Sequence, residues 1–515
     1  SEDISMTLIR ESLLYRLCLA LAAVYESSAL HRLLAALGRW CNRQIDESVV
    51  LRPLCREGAA ARAWKDSLLC RILSLFVNLP GWLLHRLYNA LPVTFEDSFF
   101  ARLAFAMGEE TAVAESWLVM LLWIIPYAYW NNAYSLMGFA LLLALFYIGA
   151  MRRRDFRLDM ASVGFYPVVL LGAVAMGVVN SYAPSQSLRF LFYHFSAALC
   201  VVVTVSAVRH GEDLKRLAAG GGVCVLVSSL YGVYQRIQGV EVSRSTVDLK
   251  VNAGMPGRVD SFFDNANTFC EVLLLLLPLV VALILCSRHL YSKLLACGIL
   301  VVGVAAAGMT YSRASWVGLA CAMAVFVFLW KPRLIPLCAV LCVLCIPLLP
   351  TTIWNRILTI GNLSDSSTLN RLPTLRAAVE VIASRPIRGV GLGTATPKVF
   401  IADWNLYHAD FPYVHSHNFY LEVWLQTGII GAVSFVGAML WNIKQAARTV
   451  RHCASSTART ITCAAASALC GAMVCGLADY LWNYPRVMVI FWFVFAVALA
   501  GVKVCRQEEN FREQT

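Results

Sequence analysis

The chain contains few charged residues for its length. Only 14% of its 515 residues are charged and 59% are hydrophobic, whereas about a quarter of a soluble protein is charged. The hydrophobic residues occur in long uninterrupted runs, and a helix that spans a bilayer needs roughly 20 of them. This composition excludes an ordinary soluble enzyme and predicts an all-α, polytopic membrane protein.

A strict alternation of apolar and polar residues, which membrane strands would require, is also missing, so we expect the spans to be helical. About twelve runs fit the length rule for a transmembrane helix. They are Glu115–Trp130, Ala133–Ala150, Met160–Asn180, Leu188–Val208, Leu217–Ile237, Asn265–Cys286, Tyr291–Met309, Ala314–Trp330, Leu334–Pro350, Asn418–Trp441, Ile461–Leu481 and Val487–Val504. One large loop, residues 351–417, separates two late spans.

Among the short connections between the predicted spans, basic residues are concentrated in every second one. Examples are Arg152, Arg209, Lys331 and Arg448, which predicts that these connections and both termini are cytoplasmic. None of the 18 cysteines lies in the predicted outward segments, as expected for free thiols on the reducing side. Topology and anionic membrane lipids therefore explain the net charge of +12, and no nucleic-acid partner is expected.

Residues 1–112 differ from the predicted membrane domain, which spans residues 113–505 and precedes a cytoplasmic tail at 506–515. They mix Arg with Leu and Ala in short amphipathic stretches such as Leu13–Val24 and Leu68–Leu91. Pro80 and Gly81 predict a break in the second stretch, which would give two short helices. Such helices would lie on the inner membrane surface, where an accessory or scaffolding role is expected.

Four polar motifs fall on the predicted outer side, where a charged group is costly unless it has a partner or a function. They contain Arg258, Arg313, the pair His415 and His417 before Asn418 and Glu422, and lastly Asp479 with Arg486. Arginine on this side opposes the positive-inside bias, so a specific anionic partner is one interpretation. The alternatives are helix caps, arginines that reach lipid head groups, and an ion pair within the last turn.

The two histidines could transfer a proton near neutral pH or hold the start of a helix. Their spacing also suggests a metal, but no third ligand follows at a familiar spacing, so we expect none. Gly389, Gly391 and Gly393 follow no strand, so they predict a turn that lets backbone approach a ligand rather than a dinucleotide loop. The aromatic residues after them could stack on sugars or pack the loop against the membrane. These are Trp404, Tyr407, Phe411 and Tyr413.

The motifs resemble those of bacterial O-antigen ligases and the related O-antigen polymerases. Arg258 with Ser261–Asn267 is similar to the family's Arg–Gly–x–Phe–x–Asn–Pro–Asn region, and Tyr311–Trp316 to its Tyr–Ser–Arg turn. His417-Asn418, followed by Gly428 and Gly431, resembles its His-Asn signature, and Pro386–Gly393 the Gly-rich part of its large outer loop. The resemblance covers roughly residues 160–504. The usual proline is missing from Asp264–Asn267, and residues 1–110 have no counterpart.

This resemblance implies a membrane glycosyltransferase that uses neither metal nor another cofactor. Its donor would be a glycan on undecaprenyl diphosphate at the outer face of the cytoplasmic membrane, and its acceptor a hydroxyl of a glycan, lipid or wall polymer. Ligase and polymerase are not separated, and a flippase or a chain-length regulator is a candidate partner. A transporter of a polysaccharide precursor or small anion, or a non-enzymatic envelope scaffold, is the alternative.

The same resemblance assigns roles to the polar residues. Arg258, Arg313 and Arg486 would bind the diphosphate, because guanidinium groups grip phosphate through paired donors. His417, or else His415, would be the general base. Asp479, Asn418 and Glu422 would support them.

Overall fold

The computed structural model describes residues 59–241, 254–360, 369 and 371–514, together with scattered positions before residue 48. All regular elements in these residues are helical, and none of the described residues forms a strand. Ten of the described helices are long and apolar enough to cross a membrane, or eleven if a bent pair counts as one span. The prediction of an all-α, multi-pass membrane protein is confirmed.

The α-helices from residue 59 onwards are numbered here in chain order. They are α1 (Ala59–Asp66), α2 (Leu68–Ala90), α3 (Pro92–Asp97), α4 (Phe99–Glu109), α5 (Thr111–Trp123), α6 (Ala133–Arg152), α7 (Met160–Val163), α8 (Phe165–Val179), α9 (Pro184–Ala207), α10 (Gly211–Gln238), α11 (Ala266–Cys286), α12 (Leu290–Met309), α13 (Arg313–Trp330), α14 (Ile335–Cys345), α15 (Thr351–Leu358), α16 (Arg371–Ser384), α17 (Ala395–Asp403), α18 (Phe419–Thr449), α19 (Ser456–Cys475) and α20 (Pro485–Gln514).

Nine of the predicted runs coincide with one long apolar helix each, namely α6, α9 to α13 and α18 to α20. The tenth long apolar helix, α2, was not among them. The prediction of two short helices there is wrong, because α2 runs without interruption through Pro80. Tyr147 of α6 donates a hydrogen bond to the Val77 carbonyl, 2.5 Å away, beside the proline. The carbonyl that loses its partner to Pro80 is that of Phe76, four residues earlier, so the Tyr147 contact packs α6 against this turn without replacing the missing hydrogen bond.

Three predicted runs are not single straight spans. Helix α5 ends at Trp123, shortly before Pro126, because a residue that precedes proline avoids the helical conformation. Helices α7 and α8 are separated by Gly164, whose φ is +91°. The Pro-containing stretch after Trp330 forms α14 with a 3-10 turn at each end, over Pro332–Leu348, and then bends by 117° into α15. Prolines and a left-handed glycine thus shorten segments whose hydropathy alone predicts full spans.

Helices α11 and α20 form the centre of the bundle. In α20, 94% of the most apolar 18-residue stretch is buried within the protein, and in α11 the corresponding share is 78%. A helix that is apolar on all sides is expected in such a central position. Helices α2 and α12 instead expose many large apolar side chains, such as Phe76 and Leu295, which suits contact with lipid. The start of α11 is therefore held firmly at one end of the bundle.

The described cysteines are free thiols with one exception. Cys453, which follows α18, forms a disulfide with Cys505 of α20, with their Cα atoms 4.8 Å apart. The expectation that all thiols are free is therefore wrong for this pair. Spacing along the chain gives no sign of it, because only the packing of the α18–α19 connection against α20 brings the two residues together.

Candidate functional site

Three of the four predicted motifs are linked through the side chain of Asn267, at the start of α11. Asn267 accepts a hydrogen bond from the guanidinium of Arg258 and donates one, of 3.1 Å, to the carboxylate of Asp479. The other oxygen of that carboxylate lies 3.5 Å from Nδ1 of His417. A continuous chain of polar contacts therefore leads from Arg258 to His417.

The backbone adopts an unfavourable conformation at four points in these motifs. Ser261, Asp264, Tyr311 and His417 have φ between +53° and +57°, where residues other than glycine are uncommon. A bulky residue such as Tyr311 is a true outlier in this region. Strain of this kind costs on the order of 1–3 kcal/mol per residue and is concentrated at functional sites. The geometry of these turns is thus maintained against a local energetic cost.

Two asparagines fix the helices that carry the site. Asn265 accepts a hydrogen bond of 2.8 Å from the Asn267 amide at the start of α11. Asn418 caps α18 by accepting from Leu421, at 3.0 Å, and donates to the Leu477 carbonyl, at 3.2 Å. Because Leu477 lies close to Asp479 in sequence, Asn418 ties the His417 turn to the segment that carries the carboxylate. Asn418 is a positioning residue in this arrangement.

Arg258 is held by two protein acceptors. Its Nε donates to the Thr310 carbonyl at 2.7 Å, and one terminal nitrogen donates to Asn267. The side chain is only partly buried, and guanidinium has five N–H donors. Further donors of Arg258 are therefore available to a ligand.

Two more arginines contribute positive charge near Arg258. Burial lowers the pKa of Arg258, and the charges of Arg313 and Arg371 lower it further. Arg313 donates to the carbonyl of Thr359 at 2.8 Å and to its hydroxyl at 3.2 Å. Arg371, the first residue of α16, makes no side-chain hydrogen bond or ion pair with the residues that the structure describes. The three arginines create a site suited to a multiply charged anion.

Asp479 is buried, with 5% of its surface exposed. Burial by itself raises the pKa of Asp479, but the contact with His417 and the charges of His417 and Arg371 hold this pKa well below its ordinary value. The backbone amide of Tyr480 also donates to the carboxylate, at 2.9 Å. Asp479 is therefore ionised at neutral pH and can orient His417.

His415 differs from His417 in its surroundings. Burial, followed by the charge of His417, lowers the pKa of His415 to about 3. Its Nδ1 lies 3.1 Å from the backbone N–H of His417 and accepts a hydrogen bond from it. A buried, neutral imidazole that supports the backbone is a positioning group. His417, whose side chain is 30% exposed, is the histidine that a substrate can reach.

Glu422 lies on α18 behind the histidine turn. Its carboxylate accepts from the Ser416 amide at 2.6 Å and from Gln426 at 3.1 Å. Tyr413 is a more distant donor, at 3.4 Å. Glu422 thus anchors the chain just before His417, which is a supporting role without contact to His417 itself.

Arg486 has different partners from the other predicted arginines. It is 4% exposed and donates to backbone carbonyls of Leu122, Trp123, Ile125 and Phe262. The first three lie at the carboxyl end of α5, where carbonyls lack partners within the helix. The guanidinium also lies over the ring of Trp130, 4.4 Å from its centroid. These contacts give Arg486 a structural role at the end of a shortened helix.

The glycine-rich segment after α16 packs against protein rather than opening toward a ligand. Gly428 interrupts α18 with φ +73°, and Val390 donates to the Leu425 carbonyl at 2.8 Å. A Cβ atom on Gly389 would lie 2.7 Å from the Gln426 carbonyl oxygen. The close backbone approach expected here therefore exists, but its partner is the kink of α18.

The aromatic residues that follow are divided between packing and exposure. Tyr407 contacts Phe411 and Tyr413 edge to face, with ring centroids 5.8 and 5.5 Å apart. Trp404 stacks on Phe400 at 5.2 Å but remains 55% exposed. Packing accounts for Tyr407 and Tyr413, while Trp404 presents an open ring face.

His415, His417 and Asp479 also form a group of ligand atoms within 4.8 Å of one another. Asp479 is the third group that the sequence spacing did not reveal. The three ligand atoms are close enough to one another to hold one ion, although Nδ1 of His415 already accepts the amide hydrogen of His417. The same arrangement also suits proton transfer, with Asp479 as the partner of His417.

Comparison with known families adds an independent observation. Residues 298–436 match the family model described as O-antigen ligase. The resemblance to O-antigen ligases is confirmed. The matched segment contains Arg313, both histidines, Asn418 and Glu422, whereas Arg258 and Asp479 lie outside it and join it through the contacts above. No curated protein matches the chain. The O-antigen ligase match supports ligase-like glycan transfer in surface polysaccharide assembly.

Sequence reasoning missed two residues of this O-antigen ligase-like site. Asn267 was included only as part of the Ser261–Asn267 motif and given no role in the site, although its side chain links Arg258 to Asp479. Arg371 was not singled out at all. The signal available in the sequence was that Arg371, like Arg258 and Arg313, is a basic residue on the side predicted to be depleted of positive charge.

Proposed function

We propose that the chain transfers a glycan from an undecaprenyl-diphosphate donor to an acceptor hydroxyl at the outer face of the cytoplasmic membrane. The observation that supports this proposal is the contact chain Arg258–Asn267–Asp479–His417. It joins a cationic group suited to a diphosphate with an imidazole suited to a proton. The O-antigen ligase match supports the same class of reaction.

The arginines act on the leaving group. As the bond between the anomeric carbon and the diphosphate oxygen breaks, the electron pair stays on the diphosphate and its negative charge increases. Arg258 is already oriented by Thr310 and Asn267, so little reorganisation is needed to stabilise that charge. Arg313 and Arg371 add positive charge to the same site. No step in this scheme requires a metal.

His417 acts on the nucleophile. The oxygen of the acceptor hydroxyl forms the new bond to the anomeric carbon, and its proton passes to the imidazole. Since Nδ1 of His417 faces Asp479, Nε2 is the atom available to accept that proton. The carboxylate keeps Nδ1 protonated and stabilises the imidazolium that forms. The 3.5 Å between Nδ1 of His417 and Asp479 is longer than a normal hydrogen bond. Catalytic hydrogen bonds are often long before the substrate binds.

The placement in the membrane rests on charge asymmetry. The proposed orientation has both termini in the cytoplasm and the site outside, as the positive-inside rule indicates. The domain organisation belongs to the same proposal, with an accessory region up to residue 112, a membrane domain to 505 and a short tail. Within the accessory region, α2 is long and apolar enough to cross the bilayer, but both halves of the helix contact the short segment 151–160. Cys70 packs with Met160, and His85 lies 2.8 Å from the Met151 carbonyl. We therefore expect α2 to lie along the inner membrane surface.

The polar cluster favours an enzyme over a transporter. Transporter sites usually lie near the bilayer midplane between broken helices. Here the arginines, His417 and Asp479 lie at helix ends and in the connections. A scaffold would have no need for the strained turns that present these residues.

The test is glycan transfer by the purified protein. Wild type, His417→Ala and His408→Ala would be incubated with undecaprenyl-diphosphate-linked glycan and acceptor, without added metal. His408 is an exposed histidine of the same long connection and serves as the control. We expect product with wild type and His408→Ala and none with His417→Ala, and product size would separate polymerase from ligase. Equal product from all three proteins would remove His417 from the mechanism. No product with any tested donor and acceptor would favour a transporter or scaffold.

A further inference from the structure

A cavity of about 380 Å³ lies near the opposite end of α20 from the candidate site. Lys503 and Arg506 of α20 line it. Lys503 is eighteen residues beyond Pro485, where α20 begins close to Asp479, which corresponds to about 27 Å along a helix. This distance is close to the thickness of a bilayer core, about 30 Å. The cavity is therefore separate from the proposed catalytic site.

The region before the membrane domain supplies one wall of this cavity. Trp64 of α1 is 3% exposed, and its Nε1 donates to the Met160 carbonyl at 3.2 Å. On the other side, the ring of Trp441 packs against Gly164, where a Cβ atom would lie 2.4 Å from the ring. Glycine at 164 thus allows an aromatic wall to form. Helix α1 therefore forms part of the cavity wall through Trp64 and Lys65.

The charge on the cavity wall is mainly positive. Lys65, Lys503 and Arg506 face one carboxylate, that of Asp159. The Asp159 carboxylate already accepts hydrogen bonds from the amide and hydroxyl of Ser162. Lys503 donates to the Val205 carbonyl, which leaves two of its three N–H donors for another acceptor. The wall can therefore accept an anion.

The remaining wall is apolar and aromatic. It includes Phe165, Leu499 and Val502 in addition to the two tryptophans. Tryptophan and tyrosine prefer the interface between membrane and water. An anion that binds here would have its charge beside Lys503 and an apolar part along these side chains.

We propose that this cavity is a specific site for an anionic phospholipid. The head-group phosphate would contact Lys503 and Arg506, and the acyl chains would leave between α1 and the membrane helices. A soluble anion such as inorganic phosphate would use the same cations but gain nothing from the apolar wall. This site gives the region before residue 112 a function, because that region supplies part of the wall of the lipid pocket.

The test measures lipid binding by native mass spectrometry of the full-length, delipidated protein. Wild type would be titrated with phosphatidylglycerol or with phosphatidylcholine, and competing inorganic phosphate would be added in a further series. Lys503→Gln removes one charge, Lys503→Arg keeps it, and Ala161→Phe fills the cavity at a lining position without a change in charge. Lys331→Gln is the matched control, because Lys331 is an exposed lysine outside the cavity.

We expect one tight phosphatidylglycerol per chain in wild type, Lys503→Arg and Lys331→Gln. The affinity should fall about tenfold or more in Lys503→Gln, as expected for the loss of one charge-assisted hydrogen bond, and also in Ala161→Phe. Equal affinity for the two lipids, or unchanged binding in Lys503→Gln, would overturn the proposal. Displacement of the lipid by millimolar inorganic phosphate would assign the site to a soluble phosphate instead. The readout is independent of glycan transfer.

Discussion

Nδ1 of His417 lies 3.5 Å from a carboxylate oxygen of Asp479, although the two residues belong to different motifs and different connections. Nearby, His415 supports the His417 backbone and Asn418 ties the turn to Leu477. His417 is thus oriented from three directions while its side chain remains partly exposed.

Asp479→Asn should lower the rate of glycan transfer roughly hundredfold, because the amide cannot stabilise a protonated His417 in the same way. The rate constant should fall more than the donor KM rises. Asp410→Asn, an exposed carboxylate in the long connection, is the control and should retain the wild-type rate. In the double variant with His417→Ala, the two effects should not add, since residues that act as a unit are not additive. Full additivity would argue for independent roles.

Arg371→Gln should raise the KM for the diphosphate donor about tenfold, because one charge of the cationic site is lost. The comparison is Arg376→Gln, an exposed arginine on the same helix, which should leave the KM within a factor of about two of wild type. Initial rates at varied donor concentration provide the measurement. An unchanged donor KM in Arg371→Gln would show that α16 does not contribute to donor binding.

His415 should make the folded protein sensitive to mild acid. The pKa of His415 is lowered to about 3 in the folded protein, whereas that of an unfolded histidine is about 6.5. The unfolded chain therefore binds a proton between these values that the folded chain does not, so stability is full above about pH 6.5 and is lost as the pH falls toward 3. His415→Gln should show a smaller drop in Tm between pH 7 and pH 5 than wild type. His408→Gln should follow the wild-type curve, and a parallel drop in all three proteins would contradict the prediction.

Arg486→Gln should destabilise the fold rather than weaken donor binding. Loss of the guanidinium leaves several buried carbonyls at the end of α5 without a donor, which costs about 2–4 kcal/mol in total. We expect a Tm several degrees lower in detergent, with an unchanged donor KM for the protein that remains folded. Arg189→Gln is the control, because Arg189 is exposed and donates to Tyr193 of its own helix. An unchanged Tm with a higher KM would instead return Arg486 to the group that binds the diphosphate.

The positions of most spans could be predicted from hydropathy, because nine runs became one long helix each. The departures have local causes that hydropathy does not measure, such as Gly164 with its positive φ. Helix α2 continues through Pro80, and Tyr147 of α6 packs against the turn beside this proline.

The sequence by itself determined that this is an all-helical membrane protein and which residue types could carry the chemistry. Long apolar runs require a bilayer, and arginines on the side predicted to be depleted of positive charge require a binding partner or a structural role. Only the tertiary structure decided which of these residues act together. Arg258, Asn267, His417 and Asp479 meet because the starts of α11 and α18 lie beside the end of α19, whereas Arg486 donates to carbonyls at the end of α5. Side-chain partners across the bundle depend on helix packing, and no spacing along one chain encodes that packing directly.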